Sequence, residues 1–140
     1  MEKGIAEFSR LFQAESDFIF QDATKRVSNS LVRLSPVAEG EFVSDWDAAI
    51  GHWPSDTKPP DDPKKTVTRR RLQDAIEDLK FGQTAFFENT DPVAVRIEYG
   101  YSKKAPQGVV RLTARRWRGF VRGAATAALN KVKKRLAVDA

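Results

Sequence analysis

From residue 4 to residue 34, Ile5, Phe8, Phe12, Ile19, Ala23, Val27, Leu31 and Leu34 recur mostly at three- and four-residue steps, with one seven-residue step across Ser16. That spacing predicts a single amphipathic helix. Pro36 ends it, because proline lacks the N–H that would continue the ladder and restricts the residue before it. At 1.5 Å per residue the helix would be roughly 45 Å long, longer than a domain of this size is wide. Leu11, Phe18 and Phe20 lie off the main stripe and widen the apolar surface. Both features predict that part of the helix projects or packs against a neighbouring subunit. The alternative is a bend near Ser16 and Asp17 that folds the helix back on its own core.

Beyond the turn at Gly40, Phe42, Ser44, Trp46, Ala48 and Ile50 alternate with Val43, Asp45, Asp47 and Ala49. A period of two with aromatics predicts a strand over residues 42 to 50. Residues 52 to 65 hold four prolines and no large apolar side chain beyond Trp53, which predicts an exposed and mobile loop or arm, or more simply a surface loop. Helical spacing returns over residues 67 to 79 at Leu72, Ala75, Ile76 and Leu79. Arg69, Arg70 and Arg71 near its start oppose the helix dipole, so they either face an acidic partner or the helix begins later.

Residues 82 to 89 have the aromatic content of a strand. Thr90 or Asp91 is placed to cap a short helix with Pro92 in its first position and Gly100 at its end. A loop, YSKKAPQG, leads to VVRLTA, which is β-branched and reads as a strand. Residues 115 to 136 then carry Trp117, Phe120, Val121, Ala124, Ala128, Leu129, Val132 and Leu136 at helical spacing. Gly119 and Gly123, one turn apart beside several alanines, predict close approach by a neighbouring backbone. The fold class is thus α+β: a long N-terminal helix, a small mainly antiparallel sheet with a short inserted helix, and a basic C-terminal helix.

A chain of 140 residues is the size of one domain, so residues 1 to 140 are expected to share one core. With no cysteine and one histidine, His52, the chain lacks the material for a disulfide framework, a thiolate metal site or a cysteine nucleophile. No stretch approaches the roughly 20 apolar residues of a membrane span, and the N-terminus lacks a secretory signal, so no membrane partner is expected. Residues 1 to 47 carry five basic and nine acidic side chains (net −4), and residues 101 to 140 carry eleven and one (net +10). An acidic start and a basic end suit binding to polyanions or to copies of the same chain.

Little else points to chemistry. No glycine loop of the phosphate-binding kind occurs. Asp45 with Asp47, and Asp61 with Asp62, are weak hard-cation candidates whose more ordinary reading is solvation. Ser102 has no base in a fixed geometry, and His52 reads as a surface residue. No enzyme activity, cofactor or metal is expected. Arg115, Arg116, Arg118 and Arg122 surround Trp117 and Phe120, and Lys131, Lys133, Lys134 and Arg135 form a second cluster. Arginine interleaved with aromatics is compatible with phosphate contact and base stacking, and equally with a solvated basic face over a buried seam. No groove-reading motif is present, so sequence-specific DNA recognition is not expected.

Residues 89 to 113, NTDPVAVRIEYGYSKKAPQGVVRLT, resemble the neck and tail-component (tail-completion) family of lambda-like siphophages. In that family an Asn-x-x-Pro-Tyr-Ala segment precedes Ile/Leu-Glu-Tyr-Gly, Ser, Ala-Pro and Gly. The matching positions are Asn89, Pro92, Ala94, Ile97, Glu98, Tyr99, Gly100, Ser102, Ala105, Pro106 and Gly108. Residues 26 to 46 are similar to the family's helix end, Ser-Pro-Val, Gly and strand. Val93 departs from the pattern, where the family often has Tyr, and the Pro-rich loop is idiosyncratic. The resemblance implies a structural virion protein of the head-to-tail junction, made in the host cytoplasm and forming a homo-oligomeric ring, such as a hexamer, between head-connector and tail proteins. On this reading Phe18, Phe20, Tyr99, Tyr101, Trp117, Lys131, Lys133, Lys134 and Arg135 are the candidates for subunit or partner contact. Non-specific contact with phage DNA is the alternative use of the basic C-terminus.

Overall fold

Residues Glu2–Leu34 form one unbroken helix, α1, so the bend near Ser16 does not occur. The computed structural model describes residues 2–38, 40–55 and 58–139, apart from the side chains of Glu2, Lys3, Phe8 and Asp139. Phe8 of the apolar stripe therefore lies outside the described side chains. The C-terminal end of α1 is closed by Ser35, whose hydroxyl donates to the Leu31 carbonyl at 2.6 Å and accepts the Trp46 indole N–H at 2.8 Å.

The next element corrects the predicted strand. Glu41–Ser44 is a helical turn, α2, and the strand β1 spans only Trp46–Ile50. Phe42, Val43 and Ser44 are buried in succession, which an alternating strand does not allow. The Ser44 hydroxyl donates to the Glu41 carbonyl at 2.8 Å, and the Asp45 N–H to that of Phe42 at 3.2 Å. β1 pairs antiparallel with β2 (Ala85–Asn89), from Trp46 opposite Asn89 to Ile50 opposite Ala85.

The described residues of the Pro-rich connection contact the body at several points. Pro54 and Asp62 are buried, the Asp62 N–H donates to the Gly40 carbonyl at 3.1 Å, and Lys65 Nζ donates to the Arg33 carbonyl at 2.9 Å. The helix that follows, α3, runs Thr66–Ala75. Of its run of arginines, Arg69 and Arg70 are exposed and Arg71 is engaged within the chain. The Asp62 carboxylate accepts the Thr68 N–H at 2.7 Å and supplies the negative charge a helix start favours. Arg71 turns inward and donates to the carbonyls of Ser44 and Trp46, both at 2.7 Å.

The short helix α4 spans Ala94–Glu98, and Asp91 accepts the Val93 N–H at 2.8 Å ahead of it. VVRLTA is not a strand: Val110–Arg115 is a helix, α5, followed by the long helix α6, Trp117–Asp139. Val109 and Thr113, one helical turn apart, are both buried, and the Thr113 hydroxyl meets that of Ser30 on α1 at 2.8 Å.

One core joins these elements, built on Leu31, Val32, Val43, Trp46, Leu72, Ile76 and Val109. α6 runs antiparallel along α1. Lys131 lies over Phe18, and Gly123 sits against the Arg26 guanidinium, so eight residues back along α6 match eight forward along α1. The same stepping puts Asp139 level with Arg10, so α1 outruns α6 by about two turns. All described side chains from residue 4 to residue 14 are exposed.

Candidate interaction surfaces

The segment that carries the family resemblance folds into one braced frame. Asn89 donates to the Phe42 carbonyl at 2.8 Å, and its own side-chain oxygen accepts the Asp91 N–H at 3.0 Å. Glu98 reaches forward to the start of α5. Its carboxylate accepts the N–H groups of Val109, Val110 and Arg111 at 2.9, 2.7 and 3.0 Å, together with Arg111 Nε at 3.0 Å. These are the orphan donors of a helix N-terminus, satisfied by one side chain. Gly108, at φ +82°, is what lets the chain pass so near: a Cβ there would lie 2.5 Å from both the Glu98 carbonyl and its carboxylate. Burial pushes the Glu98 carboxyl up, but the hydrogen bonds from Arg111, Val110 and Val109 outweigh it and hold the group below its ordinary value.

Two tyrosines stand outside this frame, Tyr99 at 74% exposure and Tyr101 at 68%. Each is covered on one face by a guanidinium: Arg111 lies 4.9 Å from the Tyr99 ring centre and Arg96 lies 4.7 Å from that of Tyr101. Stacking of this kind fixes ring orientation while leaving the other face and the hydroxyl to solvent. With Val95 and Val110, also exposed, they form an amphipathic patch around the ends of α4 and the start of α5.

A second surface is a groove of about 570 Å³ floored by Val27, Leu31 and Trp46 and walled by Trp53, Phe86, Val110 and Trp117. Trp53 is 62% exposed and meets Phe86 edge to face at 4.8 Å; Trp117 is 38% exposed. Of the groove's aromatic walls, Trp117 is among the sequence candidates, whereas Trp53 and Phe86 are not, because the groove draws on segments far apart in the chain.

The arm formed by α1 and α6 is the third surface. Phe18 is half-buried under the Lys131 ammonium, 4.6 Å from its ring centre, and Phe20 packs edge to face on Phe81 at 6.0 Å. These two rings, expected to face a neighbour, are thus engaged within the chain, and so is Lys131. Lys133, Lys134 and Arg135 remain exposed on α6.

The carboxylate pairs behave differently from their sequence reading. Asp47 turns its oxygen to the neighbouring Ala48 N–H at 2.8 Å, and Asp62 caps α3. Asp45 instead is buried with Asp91. Burial, then the hydrogen bond and charge of Asp91, push the Asp45 carboxyl above its ordinary value of 3.8. Among the described residues no group of three metal-ligating side chains converges. The raised value means that the folded state holds the Asp45 proton more tightly than the unfolded chain does. The pair's contribution to stability therefore declines as pH rises from 3.8 through the raised value. Asp45→Asn, which keeps a neutral donor toward Asp91, is expected to stabilise the protein by about 1 kcal/mol at pH 7 and by nothing at pH 3. Urea melts at the two pH values check this, and equal effects at both would disprove it.

No family model, curated protein or solved structure matches this chain. Among the described residues no helix is long and apolar enough to cross a membrane.

Proposed function

We propose that this chain is a ring-forming neck or tail-completion subunit of a tailed bacteriophage, joining the capsid connector to the tail in the virion. The observation that carries this reading is the frame between Asn89 and Arg111. The residues that resemble the family satisfy one another through Asn89, Asp91, Glu98 and Gly108 and hold Tyr99 and Tyr101 outward. That is how a structural contact surface is built: polar groups are spent on rigidity, and amphipathic aromatics are left as anchors. The arm of α1 and α6 adds an extended surface of the sort that heterologous ring contacts use.

The nucleic-acid reading rests on Lys133, Lys134 and Arg135, exposed in one turn of α6. Such contact would be sequence-independent and steeply salt-sensitive. Replacing these three residues with Gln is expected to lower neck assembly while leaving the melting temperature nearly unchanged. The check is a complementation assay in which particles lacking the chain regain joined tails when it is supplied, combined with a map of the neck. Normal tail joining by the variant with lost DNA affinity reverses the two readings, and joined particles made without the chain rule out the neck.

A further inference from the structure

The apolar stripe of α1 that is buried at Ala23 and Leu31 runs on beyond the body of the protein. Ile5 and Phe12, two turns apart on that stripe, are 65% and 63% exposed. Meanwhile the groove between Trp53, Phe86, Val110 and Trp117 is open and apolar. We infer that the exposed start of α1, from Ile5 to Phe12, docks in this groove on a second copy of the chain, and that this contact, repeated head to tail, is the subunit junction of the proposed ring.

Three observations select this occupant. The first is reach. The groove floor includes Val27 and Leu31 of the same helix, so Ile5 and Phe12 lie roughly 20 to 40 Å along a rigid rod from their own groove and cannot enter it. The second is form, since two anchors at i and i+7 on one helix face are what a groove of this size accepts. The third is charge. Residues 2 to 17 hold four acidic side chains and two basic ones, whereas residues 110 to 118, which form one wall, hold four arginines and no acid. Arg115, Arg116 and Arg118 are exposed beside that wall. Among the described residues neither Glu7 nor Glu15 forms an ion pair within its own chain. Unlike surfaces meeting in this way close into a ring when the rotation permits.

The absence of cysteine from the sequence makes the test clean. Full-length protein carrying both Ser9→Cys and Ser55→Cys, exposed positions beside the anchors that leave Ile5, Phe12 and Trp53 in place, is treated with a short bis-maleimide. The expected result is a ladder of linked chains ending at the ring number. The single variants give no ladder alone, and when mixed they give one linked pair. Trp53→Glu, at an exposed position, should weaken self-association about thirtyfold, as loss of an aromatic anchor does, while the monomer stays folded and its melting temperature falls only by the small loss of the Phe86 contact.

A link within one chain, or self-linking of either single variant as the main product, overturns the assignment. Oligomers that form normally but neither cross-link nor respond to Trp53→Glu overturn the groove and leave the ring standing. Unchanged self-association with lost binding to purified heads or tails gives the groove to another neck protein. A wild-type chain that stays monomeric overturns the docking, and the neck reading is then decided separately by tail joining.

Discussion

Gly40→Ala is expected to cost about 4 kcal/mol or more and to lower the melting temperature by about 12 °C or more. Gly40 sits at φ +88°, where a side chain is strained in any surroundings, but the larger effect is the space. A Cβ there would lie 2.4 Å from the Pro63 nitrogen and 2.7 Å from the Asp62 carbonyl carbon, both backbone atoms with no rotamer to yield. The Gly40 carbonyl also accepts the N–H groups of Ser44 at 3.2 Å and Asp62 at 3.1 Å. Moving the Pro-rich segment away would stretch the Asp62 cap on Thr68 as well. Gly51→Ala is the control, because Gly51 shares the backbone conformation at φ +80° with open space around it, so its loss should be about 1 kcal/mol. Equal losses in the two variants, measured by thermal and urea unfolding, would show that the close approach has no weight.

Glu98→Ala should destabilise by about 3 kcal/mol at pH 7, since three backbone donors and Arg111 lose one acceptor together. The loss should depend on pH. The folded carboxyl lies below its ordinary value of 4.5, so its stabilisation is fully present above that value and fades as pH falls through the lowered one. Wild type and variant should therefore converge in strong acid. Glu98→Gln should lie between them at pH 7, because one amide oxygen still accepts while the amide N–H₂ faces other donors. A gap between Glu98→Ala and wild type that stays constant down to pH 2 would mean that the carboxylate charge does not hold the start of α5.

Much of the architecture was written in local pattern. The stripe on α1, the stop before Pro36 and the strand at β2 all follow from spacing and turn chemistry within a few residues, whereas α4 begins at Ala94, two residues later than Pro92 suggested. The misreadings occurred where a distant group decides. Val109, Val110 and Thr113 favour a strand by their branching, yet α5 is a helix because Glu98, eleven to thirteen residues earlier, takes its first N–H groups. The spacing of buried Val109 and Thr113 was the available sign. Phe42 to Ser44 likewise matched an alternation but formed a turn, since the side chain of Asn89, distant in sequence but opposite Trp46 in the sheet, binds the Phe42 carbonyl.

The candidate surfaces divide in the same way. Tyr99 and Tyr101 were legible because they flank a glycine in a loop that fixes them. Phe18 and Phe20 read as outward anchors in the sequence because nothing local shows that Lys131 and Phe81 cover them. The groove could not be read at all, for its walls come from Trp53, Phe86 and Trp117 on separate elements.

The antiparallel seam between α1 and α6 also sets how the molecule responds to force. The start of α1 and the end of α6 lie toward the same tip, with Asp139 level with Arg10. Tension applied across the two ends would peel the seam apart from that tip, loading one turn at a time, instead of shearing all its contacts at once. The Lys131 contact with Phe18 is met before the Gly123 contact with Arg26, and the braced frame beyond α5 is met last. Tension transmitted along the body through the frame would bypass that seam, so the same fold is soft to pulling at its tip and stiff across its base.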